Sequence, residues 1–406
     1  MKLLRRLLDR QAHHFEPGGR LEKLYALWEA QDTILYTPGQ VTAGASHVRD
    51  GLDLKRMMMT VVIALAGCVY MAFYNTGYQA NLAIAAGAAH LDTWQTAAVE
   101  ALGLGFAPDD WLACVVHGGL YYLPVLAVTM AVGGFWEMLF ATVRRHEVSE
   151  GFLVTGMLFP LIMPPTVPLW QVALGVTFGV VVGKEIFGGT GMNVMNPALV
   201  GRAFLFFAYP AEHSGDTVWV AAQTSPDGVS GATLLARATL GGSPAVTGTA
   251  NTWDAFIGLI PGSMGETSVI ACLAGALVLI VSGVGSWRIM VSVAIGTGAM
   301  ALLLNQIGSA TNPFFDVSPA WHFLLGGWAF GTVYMATDPV SAPAAPGGHY
   351  VYGLLIGMLA VLIRVVNPAY PEGMMLAILF MNLFAPLIDY VAAQANIRRR
   401  SARHAR

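Results

Sequence analysis

Thr233 is the first residue in this chain whose setting invites chemistry. It lies in Asp-Gly-Val-Ser-Gly-Ala-Thr-Leu, Asp227 to Leu234, between two strongly apolar blocks. Ser230, Gly231 and Ala232 are small and leave its hydroxyl a low-profile approach. A threonine hydroxyl is a poor nucleophile unless a base activates it, and no basic side chain adjoins it in sequence. Arg237 follows four residues later and shares a face with Thr233 if the segment is helical. The same stretch also reads as a helix N-terminus, with Asp227 or Ser230 as cap. A second set of residues is acidic and lies in or beside apolar runs: Glu137, Glu185, Asp338 and Asp389. An ionisable group at the centre of a bilayer costs roughly 2.5–3.5 kcal/mol on insertion scales, so each is a candidate functional residue. Carboxylates suit a hard cation. The competing reading places them at the membrane interface, hydrated or paired, with Glu185 paired to a neighbour such as Lys184. Gly133 and Gly134, one turn before Glu137, permit close approach of a ligand or of another helix. Asn193 and Asn196 flank a break at the start of a span, where they cap a helix or bind a ligand. His117 and His322 read as packed histidines.

The elements that must position these residues are membrane helices. Of 406 residues, 55% are hydrophobic and 11% charged, against about 25% charged in soluble domains. Such a chain cannot cover itself in water, so the bilayer is part of its solvent. Net charge is -3, which argues against a nucleic-acid partner. Cys68, Cys114 and Cys272 lie apart in apolar segments, with no metal-ligand spacing. Apolar runs predict about ten helices, over 57–74, 112–141, 151–163, 168–186, 194–208, 267–285, 288–305, 321–336, 350–366 and 373–391. Lys and Arg favour cytoplasmic loops. They are frequent in the first 56 residues, absent from 75–111, and frequent again in "RRHEVSE" from Arg144 and in the tail "IRRRSARHAR". The pattern predicts both termini inside and the 209–266 loop outside. Arg202, Arg237 and Arg364 are its exceptions.

Punctuation repeats along the chain. "FPLIMPPTVP" and "KEIFGGTGMNVMNP" bracket one apolar segment; "ATDPVSAPAAP" and "RVVNPAYPEG" bracket another. With five spans per half, the second copy is inverted, as in transport folds whose interrupted helices line a site within the membrane. The expected organisation is a cytoplasmic region 1–56, a five-helix repeat 57–208, an outer loop 209–266, a second repeat 267–391 and a basic cytoplasmic tail 392–406. The segment "RLEKLYALWEA", Arg20 to Ala30, reads as an amphipathic helix of the N-terminal region.

The Asp227–Leu234 stretch looks like the motif at which FMN is joined to threonine through a phosphoester. Together with "GGFWEMLF" from Gly133, "GMNVMNPALVGRAF" from Gly191, "MATDPVSAP" from Met335 and "LFAPLIDY" from Leu383, the chain resembles the B subunits of sodium-translocating NADH:quinone oxidoreductases over essentially its full length. The resemblance implies covalent FMN on Thr233, with Ser230 and Gly231 in its motif and Arg237 available to the phosphate. With no basic neighbour to activate Thr233, a separate transferase is expected to attach the FMN, and the outward placement of the loop puts that enzyme in the periplasm. The resemblance also implies a non-covalent riboflavin, for which Asn193 and Asn196 are candidates, and a ubiquinone site near Gly133 and Gly134. Glu137, Asp338 and Asp389 are favoured as a sodium path. In such a protein, electrons pass from a partner's FMN through this chain's FMN and riboflavin to ubiquinone, coupled to sodium export across the bacterial inner membrane. Expected partners are the complex's A, C, D, E and F subunits, the transferase, sodium and membrane lipid. No Gly-rich strand–helix turn for a dinucleotide is present, which agrees with an NADH site on another subunit. Two other readings remain. One is the related D subunit of the Rnf ferredoxin:NAD complex, expected to be shorter ahead of its first span. The other is an inverted-repeat channel or transporter with no redox role.

Overall fold

A continuous apolar run in lipid has no hydrogen-bond partner for its backbone except itself, so it folds as a helix. A computed structural model describes residues 2–15, 18–22, 25, 28, 54–144, 148, 151–215, 219–223, 232–367 and 372–404. The described chain is mostly helical. Among the described residues, six helices are long and apolar enough to cross a membrane: Arg56–Ala85, Trp111–Arg144, Leu169–Phe187, Trp287–Ile307, Pro346–Val366 and Met374–Arg403. Gly151–Leu161, Pro197–Ala208 and Val269–Val281 are apolar but shorter. A two-residue antiparallel ladder pairs Ala89 with Gln223 and His90 with Ala222. It ties the segment after the first long helix to the loop ahead of Thr233.

Nine of the expected spans fall on the nine helices just named. The tenth, 321–336, is not a continuous helix. It divides into Pro319–Leu324, a short turn Trp328–Phe330 and a π-turn Gly331–Met335. At the break Leu325 is extended and Gly326 takes a φ of 62°. The carbonyls freed there do not go without partners: Arg364 donates to His322 O at 2.8 Å and to Leu325 O at 2.9 Å. The basic stretch after residue 391 continues the last helix, which runs to His404. Lys2–Phe15 is a helix, whereas "RLEKLYALWEA" lies mostly outside the described residues.

Two helix pairs meet backbone to backbone. Trp287–Ile307 packs on Pro346–Val366; a Cβ on Gly296 would run into the Leu354 carbonyl, and one on Gly357 into that of Val293. Gly77 and Gly118 make the same approach between the first two long helices, against Cys114 and Phe73 carbonyls. Small residues are the usual means of close helix packing where lipid removes the hydrophobic drive between helices. Leu277, Val281, Leu302, Ile307 and Leu387 remain exposed on the chain by itself, a surface suited to lipid or partner subunits.

Candidate functional site

Two polar regions lie at opposite ends of the Pro346–Val366 helix, a rod of 21 residues and therefore about 30 Å long. At its C-terminal end is Thr233. The expected caps Asp227 and Ser230 fall outside the described residues, as does Gly231. Thr233 itself is the cap of the Leu234–Thr247 helix. Its Oγ1 accepts from Ala236 N at 3.2 Å and donates to the Gly215 carbonyl at 3.2 Å. The open hydroxyl expected from small neighbours is instead buried, with 8% exposure. The cap geometry is the reason: the oxygen has to face the first turn's N–H groups. The segment is helical, so Arg237 sits one turn on, where it donates to Thr249 Oγ1 at 3.1 Å.

Thr233 lines a cavity with Ser263, Glu266, Leu325, Gly326 and Glu372, among others. Beneath it is a charge network built from two of the arginines that broke the loop pattern. Arg202 Nη2 pairs with Glu372 Oε2 at 2.6 Å, and its Nη1 donates to Ser263 Oγ at 3.2 Å. Ser263 Oγ donates to Glu266 Oε1 at 2.6 Å. Arg364 is fully buried, and its Nε donates to the Glu372 carbonyl at 3.1 Å. Two arginines within apolar helices are thus offset by two carboxylates from chain breaks, as burial of charge requires.

Glu266, which lies outside the spanning helices, has a displaced titration. Burial pushes its carboxyl up to about 7; Arg202 opposes the rise, Glu372 adds to it, and Ser263 and Arg364 oppose it. Between the ordinary carboxyl range and pH 7 the folded protein therefore holds a proton that the unfolded chain would release. This group's contribution to stability is present at low pH and lost as pH rises through about 7. Glu266→Gln mimics the protonated form and keeps an oxygen to accept from Ser263. Thermal melts in detergent should show the variant matching wild type at pH 5 and exceeding it at pH 8. Equal melting temperatures at both values would contradict the assignment.

At the other end a cleft opens beside the second pair of breaks. It is lined by Lys184, Thr190, Asn193, Asn196 and Asp338 on a polar side, and by Met57, Met58, Val61, Leu158 and Tyr334 on an apolar side. About 710 Å³ within it, open solvent at its mouth included, is free of atoms. Asn196 caps the Pro197–Ala208 helix, accepting from Ala198 N and Leu199 N at 3.1 and 3.3 Å. Its Nδ2 donates to Asp338 Oδ2 at 3.4 Å, so it joins a break of the first half to one of the second. Asn193 Nδ2 donates to the Met195 carbonyl at 3.0 Å. Burial raises Asp338 above its ordinary value, against hydrogen bonds from Val340 N, Ser341 and Asn196.

The remaining candidates are dispersed over the molecule. Glu137 is buried against Lys184. Glu185 has its expected local partner, Lys184 at 3.8 Å, and a closer one, Arg144 Nη1 at 3.0 Å. Asp389 accepts from Ala344 N and Ala345 N, both at 2.8 Å, and so anchors the start of the Pro346–Val366 helix. Gly133 packs under the Phe152 ring, which also lies nearest Gly134; neither lines the cleft. His117 Nδ1 is 2.8 Å from Asn81 Oδ1, and His322 packs on the Phe314 ring.

This arrangement of a capped threonine and an amide–carboxyl cleft falls within residues 41–398, which match the model of the NQR2, RnfD, RnfE family. The chain belongs to that family. Among its relatives is the B subunit of the Na(+)-translocating NADH-quinone reductase of Pseudomonas aeruginosa (strain LESB58), 57% identical over 99% of both chains. The protein of the same name from Chromohalobacter salexigens is 56% identical over 99% of this chain and 97% of its own. That from Azotobacter vinelandii is 54% identical over 99% of this chain and all of its own. In this family member, sequence reasoning missed Glu266, Glu372 and Ser263, and it gave Lys184 no site of its own. The signal that points to the first group was already in the charge pattern. Arg202 and Arg364 stand in apolar segments and demand buried partners.

Proposed function

We propose that this chain is the membrane subunit of a sodium-pumping NADH:quinone reductase. It carries electrons from a partner subunit's FMN, through FMN esterified to Thr233 and a bound riboflavin, to ubiquinone, with sodium export. The observation that carries this reading is the position of Thr233. A hydroxyl oxygen that caps a helix lies at the positive end of the helix dipole, where backbone N–H groups favour a phosphate. A phosphoester formed there is held by the chain's own geometry. The cleft suits the ring system of a flavin, since Asn193, Asn196 and Thr190 offer donors and acceptors to a polar edge while Met57, Met58 and Leu158 offer apolar walls. Flavins supply the one- and two-electron chemistry; the protein binds, orients and shields them. Ser230 and Gly231 belong to the attachment motif as small residues ahead of Thr233, and Arg237, one turn on, meets the phosphate.

In this reading the quinone binds near Gly133 and Gly134. Sodium passes by Glu137, Asp338 and Asp389. Ten membrane segments form two inverted five-helix repeats in the bacterial inner membrane, with both termini in the cytoplasm and Thr233 on the periplasmic side. The A, C, D, E and F subunits complete the complex, a periplasmic transferase attaches the FMN, and lipid surrounds it. The opposed breaks support the repeats: Asn196 meets Asp338 at one end, and Arg202 meets Glu372 at the other. Each charge moved against 100 mV requires about 2.3 kcal/mol, so transport must draw on quinone reduction.

The test uses the chain made with its transferase. After denaturing electrophoresis the band should fluoresce under ultraviolet light, and the purified complex should reduce quinone in a sodium-dependent manner. A dark band would favour a transporter with no redox role. A fluorescent band in a complex that reduces NAD from ferredoxin would favour the Rnf-type reading.

A further inference from the structure

Lys184 holds a position that the proposed electron path does not use. Its side chain is 3% exposed, and it lines the cleft that contains Asn196 and Asp338. Its ammonium contacts the Glu137 carboxylate and lies 3.2 Å from Thr190 Oγ1. Glu185, 3.8 Å away, is already served by Arg144, which binds both its carboxylate and its carbonyl. Among the described residues, two cations, the half-buried Arg144 and the buried Lys184, face two buried carboxylates, and Lys184 is in contact with Glu137. Glu137 itself does not line the cleft. One ammonium stands between the two.

A buried carboxylate with a counter-ion on the chain cannot also take a free cation without leaving uncompensated charge in a poorly solvated place. Sodium reaches Glu137 only if Lys184 leaves. A lysine is suited to leaving, because its point charge rides on a flexible four-carbon stem. The adjoining cleft offers the Asp338 carboxylate as a second partner. We propose that Lys184 is a tethered cation that competes with sodium for the Glu137 carboxylate, and that its ammonium turns into the cleft when sodium binds. The inference rests on the reading of Glu137 as part of the sodium path.

The assembled complex provides the test. In Lys184→Gln the sodium concentration for half-maximal quinone reduction should fall roughly tenfold, within the usual range for coupled sites. Lys184→Arg keeps the competing charge and should stay near wild type. A second measurement needs no variant. Lys184 is one of four lysines in the chain, so its labelled peptide is readily separated by mass spectrometry. Acylation of Lys184 by a membrane-permeant amine reagent should rise when choline chloride is replaced by sodium chloride at equal ionic strength. A half-saturation unchanged in Lys184→Gln, or acylation indifferent to sodium, overturns the proposal. Glu137→Gln separates the two levels. If it leaves the sodium response unaltered, both the reading of Glu137 and the competition fall. If it alters the response while Lys184 fails its own tests, only the competition falls.

Discussion

Thr233→Ala should yield a folded subunit with no covalent flavin and no fluorescent band after denaturing electrophoresis. The loss should be complete, because the proposed ester has no other oxygen at that position. The folding cost is small by comparison. Removing an N-cap costs about 1 kcal/mol, at most about 2, and the bond donated to Gly215 O adds about 1 kcal/mol. Against a typical stability of about 5–15 kcal/mol, that leaves the fold intact. Esterification itself removes the hydroxyl proton, so the flavinylated chain cannot donate to Gly215 O either. The bond accepted from Ala236 N can persist. Thr233→Ser keeps both the cap and the hydroxyl and should retain some fluorescence. A fluorescent band in Thr233→Ala would move the attachment to another residue.

Arg364→Leu should abolish accumulation of the folded subunit. The side chain is fully buried and donates to three carbonyls, those of His322, Leu325 and Glu372. Leucine takes the donor from the His322 and Leu325 carbonyls, each at about 1–3 kcal/mol, while the Glu372 carbonyl keeps its bond from Met374 N. It also strips from beside Glu266 and Glu372 a positive charge that favours the ionised carboxylate of Glu266. The total reaches the lower part of the stability range of a domain. Arg364→Lys restores the charge but not the fork that spans three carbonyls, and should be intermediate. Yield of monodisperse complex by size exclusion, with thermal unfolding in detergent, measures both. A stable Arg364→Leu subunit would mean that the break at Leu325 holds without its donors.

The two results test different kinds of knowledge about the chain. Apolar run length determined the helices, because a lipid-facing backbone has no alternative partner. For the same reason 112–141, 288–305 and 350–366 each lie within a single long helix. Thr233 and the acidic residues were legible too, as polar side chains in places where polar groups are costly. What could not be read was partnership. Arg202 and Glu372 are 170 residues apart, Lys184 and Glu137 are 47 apart, and nothing in spacing pairs them. Nor could the sequence say that Thr233 is its own helix cap, or that 321–336 breaks to give Arg364 its carbonyls. A charge in an apolar segment announces that it needs a counter-charge. Only the tertiary structure decides which one, because the choice depends on where the helices cross.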